Sequence, residues 1–186
     1  MPKRSTASAW IKTNYRTGSQ FQTIFSIAAP GGPAEGFVLF LSSSVKVILN
    51  GGFPWRDVPR DVRDGNWHHI VFTWSAAVGE WRVFIDGALS GQGSSYATGY
   101  SISSGHLTVG QDQDAFGGAF DTDQSFLGSM VGVNMWSSVL TEDEIALLAS
   151  SWCVPLEGDI VKWTDIYPND ESSQEAIRID CTKKCA

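Results

Sequence analysis

Apolar and polar residues alternate with a period of two along much of this chain, and that period predicts β-strands. From Trp81 to Asp86, Trp81, Val83 and Ile85 alternate with Arg82, Phe84 and Asp86. Apolar runs bounded by turn residues predict further strands at 9–12, 21–28, 37–41, 45–49, 67–74, 106–110 and 130–136. A serine turn joins the runs at 37–41 and 45–49 into a hairpin, and Asn50-Gly51-Gly52 ends it. Asp86-Gly87 signals a second hairpin, because glycine adopts positive φ without strain. Residues 91–105, rich in Ser, Gly and Tyr, predict loop. One segment breaks the pattern. Thr141-Glu142-Asp143-Glu144 has the capping-box form, and Ile145, Leu147 and Leu148 follow as an apolar face, which predicts one short α-helix over about 141–149. The reading is all-β with a single helix.

Composition supports it. A chain of 186 residues with 42% hydrophobic residues can bury one substantial core and does not require two domains. Eight Trp and ten Phe fit pleated, half-buried surfaces, and 19 Gly fit the many turns of an all-β chain. The apolar pattern stops near Asp170, which predicts a domain over 1–168 and a polar, cysteine-containing tail or linker over 169–186. The three cysteines, Cys153, Cys181 and Cys185, are too few for a disulfide scaffold and lack zinc or redox spacing. One disulfide with a remaining thiol, or a bond to a segment outside this sequence, both stay open. No apolar run opens the chain as a secretory signal does, and no stretch is apolar enough to span a membrane.

Charge narrows the function classes. A net charge of −7 argues against a nucleic-acid partner, which needs a basic face. No Lys or Arg occurs from residue 83 to residue 161, whereas carboxylates accumulate there, Asp112, Asp114, Asp121 and Asp123 among them. Clustered carboxylates repel one another, so this distribution favours a bound cation over a merely solvated acidic face.

Two segments carry a family resemblance. Gly65-Asn66-Trp67-His68-His69-Ile70-Val71-Phe72-Thr73-Trp74, followed by Trp81-Arg82-Val83-Phe84-Ile85-Asp86-Gly87, resembles laminin-G-like and pentraxin sandwiches. More specific are Gly110-Gln111-Asp112-Gln113-Asp114, Gly117-Gly118-Ala119-Phe120-Asp121, Gln124-Ser125-Phe126 and Val133-Asn134-Met135-Trp136, which resemble the calcium loop of pentraxins and the strand after it. Val161-Lys162-Trp163 resembles the family's closing strand. The resemblance runs from about Thr6 to Ile166. It implies a two-sheet antiparallel jelly-roll sandwich, a secreted or extracellular setting, and calcium-dependent binding of a polar ligand, phosphate-bearing or carbohydrate, or of a protein. It also implies assembly as a cyclic homo-oligomer.

Carried over residue by residue, the resemblance implies that Asp112, Asp114, Asp121, the Gln124 amide and the Gln113 carbonyl are ligands for one or two Ca2+ ions. Calcium takes 6–8 oxygen ligands at flexible geometry, which suits such a set. The family's second ion needs an Asp-Asn pair before the strand at 37–41; Ala34-Glu35 stands there, so Glu35 offers the one carboxylate. A well-formed site is expected near Asp121 and Gln124, with the other weakened. Phe40 aligns with a phenylalanine of the family's ligand pocket. The family's disulfide is replaced by Ser8 and Val71, and the usual strand before Ala9 is expected to be missing.

Other classes fit less well. The rival reading is a pentraxin-like protein-interaction module of a larger cell-surface or matrix protein, with weak or no calcium binding. A glycoside hydrolase needs two carboxylates flanking the scissile bond, and the loop after Gly110 supplies no Glu as acid or nucleophile. His68 and His69 are adjacent, alternate faces on a strand and lack zinc-ligand spacing, so both read as structural. No enzyme is expected.

Overall fold

In the computed structural model, residues 1–16, 21–52 and 54–166 are described. They form two five-stranded antiparallel sheets. The first has the order β10–β1–β6–β7–β8, built from Ser129–Trp136 (β10), Arg4–Lys12 (β1), Trp67–Ser75 (β6), Glu80–Ile85 (β7) and Ala88–Gly93 (β8). The second has the order β5–β4–β3–β2–β9, built from Arg56–Val58 (β5), Val45–Leu49 (β4), Phe37–Leu41 (β3), Gln22–Ala28 (β2) and His106–Val109 (β9). This is the jelly-roll sandwich that the resemblance implies.

The core lies between the sheets. Ile11, Ile70, Phe72 and Trp74 of the first sheet face Ile24, Phe25, Phe37 and Leu39 of the second, all fully buried. β2, β3 and most of β6 are buried on both faces, because the outer faces there are covered as well. Helix α1, Glu142–Ser150, covers the first sheet: Ile145 and Leu148 pack on Val71, Phe84, Trp136 and Leu140. Leu147, read from sequence as part of that apolar face, is instead exposed. The capping box is present, with Thr141 Oγ1 accepting from Glu144 N and the Glu144 carboxylate accepting from Thr141 N.

Several boundaries differ from the sequence reading. β1 begins at Arg4 rather than Ala9 and is an interior strand, paired with both β10 and β6. β8 occupies the start of the segment read as loop. Its Gly and Ser residues have little strand propensity, but the Asp86-Gly87 turn (φ 54° and 79°) folds it back on β7. Its glycines are there for space: a Cβ on Gly91 would lie 2.5 Å from Val58 Cγ2, and one on Gly93 would lie 2.7 Å from Trp81 Nε1. The closing segment makes one bridge, Met135 to Val161, instead of a strand. Buried Asn134 holds it, since its Oδ1 accepts from Gly158 N and Trp163 N, each at 3.1 Å.

Ser8 and Val71 are direct cross-strand partners, as a disulfide between those positions requires. In its place Ser8 Oγ lies 2.8 Å from His69 Nε2 under the helix-bearing face. Burial lowers the His69 pKa to about 4, which keeps the ring neutral. His68 faces the opposite way, between Asp86 Oδ2 (2.8 Å) and Asp64 Oδ1 (3.1 Å). Cys153 follows α1, half-buried, while the expected tail with Cys181 and Cys185 lies outside the described residues.

Candidate metal centre

Three of the sequence-predicted ligands, Glu35, Asp112 and Asp114, come together at the outer face of the second sheet. Strand β2 supplies the anchor. A bulge between Thr23 and Phe25 lets both Ile24 and Phe25 enter the core and returns Ser26 to the outer face. There Ser26 Oγ donates to Asp112 Oδ1 at 2.7 Å and accepts from Gln113 N at 3.3 Å. Gln113 N also donates to Asp112 Oδ1 at 2.9 Å. Asp112 is buried, and these bonds fix its carboxylate from one side.

Gln113, fully buried, is the bolt of the loop. Its amide nitrogen donates to Ser26 O (3.0 Å) and His106 O (2.9 Å). Its amide oxygen accepts from Gly117 N at 3.0 Å and lies 3.1 Å from His106 Nδ1. The sequence reading named Gln113 for its carbonyl and missed this side-chain role. Ser26 was missed altogether, because a serine inside an apolar strand carries no motif.

Across the hairpin register Ser26 faces Val38 of β3, and Glu35 stands just before that strand. Ligand oxygens of Glu35, Asp112 and Asp114 therefore come within 4.8 Å of one another. Burial first, then the negative charges of Asp112 and Asp114, push the Glu35 carboxyl above its ordinary range. Three carboxylates this close repel in the absence of a cation, and hard oxygen donors match calcium.

Asp121 and Gln124 lie on the return limb of the same loop. Gln111 ties the limbs together: its amide nitrogen donates to Asp121 O at 2.7 Å, and its amide oxygen accepts from Ser125 Oγ at 2.5 Å. Phe126 N donates to Gly110 O at 2.8 Å and closes the base. The exposed Asp121 carboxylate caps the short 3-10 turn Thr122–Gln124, accepting from Asp123 N at 2.9 Å. Gln124 Oε1 is buried without a hydrogen-bond partner. Among the described residues the tight carboxylate group is Glu35, Asp112 and Asp114.

Phe40 lies further along the same outer face. It is buried beneath Phe21 and Trp55, with ring centroids 4.9 and 5.7 Å away, edge to face. Lys46 Nζ lies 5.5 Å from the Trp55 ring and pairs with Asp57 at 2.5 Å.

Comparison with known proteins agrees with this architecture. The model of the Pentaxin family matches residues 4–173. Human neuronal pentraxin-1 is 32% identical over 164 residues, spanning 87% of this chain and 37% of that protein. The rat Sushi, von Willebrand factor type A, EGF and pentraxin domain-containing protein 1 is 35% identical over 162 residues, which is 86% of this chain and 4% of that protein. The chain thus spans little more than a third of the neuronal pentraxins and a small part of the larger protein. The native heptameric SAP-like pentraxin from Limulus polyphemus has the same fold, with a TM-score of 0.76 and 24% identity, covering 88% of this chain and 77% of that one. Fold, loop and family match converge, and the chain belongs to the pentaxin family.

Proposed function

We propose that this chain is a calcium-dependent binding module of an extracellular protein and performs no catalysis. The observation that carries the reading is the approach of Glu35, Asp112 and Asp114 to within 4.8 Å, with like charges that an ion would neutralise. Glu35, Asp112 and Asp114 would hold a Ca2+ ion, with the Gln113 carbonyl, Asp121 and the Gln124 amide completing one or two sites. When bound, the ion supplies a positive coordination centre for a phosphate-bearing or carbohydrate ligand. The chain's own residues hold that centre in place: Ser26 orients Asp112, Gln113 bolts the loop to β2 and β9, and Gln111 keeps the return limb close. Phe40 would act on a ligand from beneath Phe21 and Trp55.

The test is retention on immobilised phosphate-bearing and carbohydrate ligands in calcium, with release by chelator. Retention that ignores the chelator would overturn the reading. One observation favours a calcium-free protein-interaction module: the Asp121 carboxylate already serves its own backbone as a cap. A cyclic homo-oligomer belongs to the same proposal. Light scattering on the purified chain reads it, and a monomer at all concentrations contradicts it.

A further inference from the structure

The face of the first sheet that carries α1 hides a small cavity. Strand residues Ser8, His69 and Asn134 line it from below, and Trp152, Val154 and Leu156, which follow α1, line it from above. At about 10 Å³ it has room for a single water at most. His69 is 1% exposed. Its Nε2 lies 2.8 Å from Ser8 Oγ, whereas its Nδ1 is buried with no hydrogen-bond partner among the described residues. A neutral imidazole tolerates that arrangement. An imidazolium does not, because both of its nitrogens are donors and the second would have no acceptor.

The lining offers no charge to compensate a charged ring. β1 presents Ser8 and Trp10, β10 presents Asn134, and the cover presents Leu148, Ser151 and Trp152, all neutral. One carboxylate acts on the ring, that of Asp86, which accepts from His69 backbone N at 2.9 Å but gives its other oxygen to His68 and Arg60. Burial outweighs it and holds the His69 pKa at about 4. A charged ring therefore needs one wall of the cavity to move. β6 is paired along its length with β1 on one side and with β7 on the other, so the strands stay. The cover is tied to them at its ends, where Trp10 Nε1 donates to Leu148 O at 3.2 Å and Gly158 N donates to Asn134 Oδ1 at 3.1 Å. Between those ties Trp152 packs edge to face on Trp10, and Val154 and Leu156 are only half-buried. Such a segment opens at lower free energy than an interior strand. We propose that His69 is the sensor of an acid-released latch: when its ring takes up a proton, the end of α1 and the segment after it, residues 148–156, lift from the first sheet and admit water. The closed state is favoured above about pH 6.5, and opening grows as pH falls toward about 4. The latch lies on the sheet opposite the carboxylate centre and does not depend on it.

The experiment is NMR of the whole isotope-labelled chain, titrated from about pH 7 to about pH 4.5. Two indole N–H groups are compared: that of Trp10, bonded to the cover at Leu148 O, and that of Trp74, bonded to Tyr96 O at 2.9 Å inside the core. Solvent exchange of the Trp10 indole should quicken about tenfold or more relative to that of Trp74 as pH falls. His69→Gln, which cannot take up the proton, should leave that ratio unchanged. If this variant does not fold, the wild-type ring is read directly, and proton uptake by His69 should coincide with the change at Trp10. Equal quickening at both indoles would mean loosening of the whole sandwich and would overturn the latch. So would a ratio that ignores pH, a His69→Gln chain that opens as the wild type does, or a His69 ring that titrates apart from the opening.

Discussion

Ser26 holds Asp112 by one oxygen, through a bond of 2.7 Å, and so decides where the other oxygen points. Residues that orient metal ligands typically govern affinity by 10–100-fold. Ser26→Ala should therefore weaken calcium binding by about tenfold or more, while the calcium-free melting temperature falls only slightly. Glu35 behaves differently. Its carboxyl titrates above the ordinary range, so the folded state binds a proton more readily than the unfolded chain. Sign follows from that: ionising Glu35 costs stability as pH rises through the ordinary carboxylate range, and without calcium the cost persists at neutral pH. Glu35→Gln should raise the calcium-free melting temperature and weaken calcium binding, opposite effects from one substitution. His69 carries the opposite dependence. With a pKa lowered from 6.5 to about 4, it stays neutral in the fold while the unfolded chain gains a proton. Its contribution is present above about pH 6.5 and is lost as pH falls toward about 4. Melting followed across that window should show the loss, and His69→Gln should flatten it.

At the scale of elements, the helix and most strands were legible because they rest on local rules. Thr141 to Glu144 spells its own cap, and Thr141→Ala should cost about 1 kcal/mol in chemical denaturation. β3, β4, β6 and β7 follow from apolar runs and turn signals. β8 was not legible, since its pairing is imposed by β7 and its glycines answer to Val58 and Trp81 across space. Gly93→Val should destabilise strongly for that reason, by overpacking against the Trp81 ring, and the melting temperature reads it directly. The closing segment was misjudged on the same ground. Val161-Lys162-Trp163 has strand-like residues, but its position is set by the amide oxygen of Asn134, a contact no periodicity reports.

For the whole molecule, the sandwich brings together what the sequence keeps apart. Asp112 and Asp114 are neighbours in any reading, but Glu35 reaches them only because β2 lies between β3 and β9. The resemblance pointed to the loop and ranked its halves by residue type; it could not see that Asp121 is engaged as a cap or that Gln124 Oε1 is left unpaired. The most direct test is calorimetric titration of calcium into the purified wild-type chain and into Asp112→Ala. Saturable binding by the wild type, lost in the variant while its circular dichroism stays native, is the predicted result. A wild type that takes up no heat-detectable calcium, or a variant that binds as the wild type does, contradicts it.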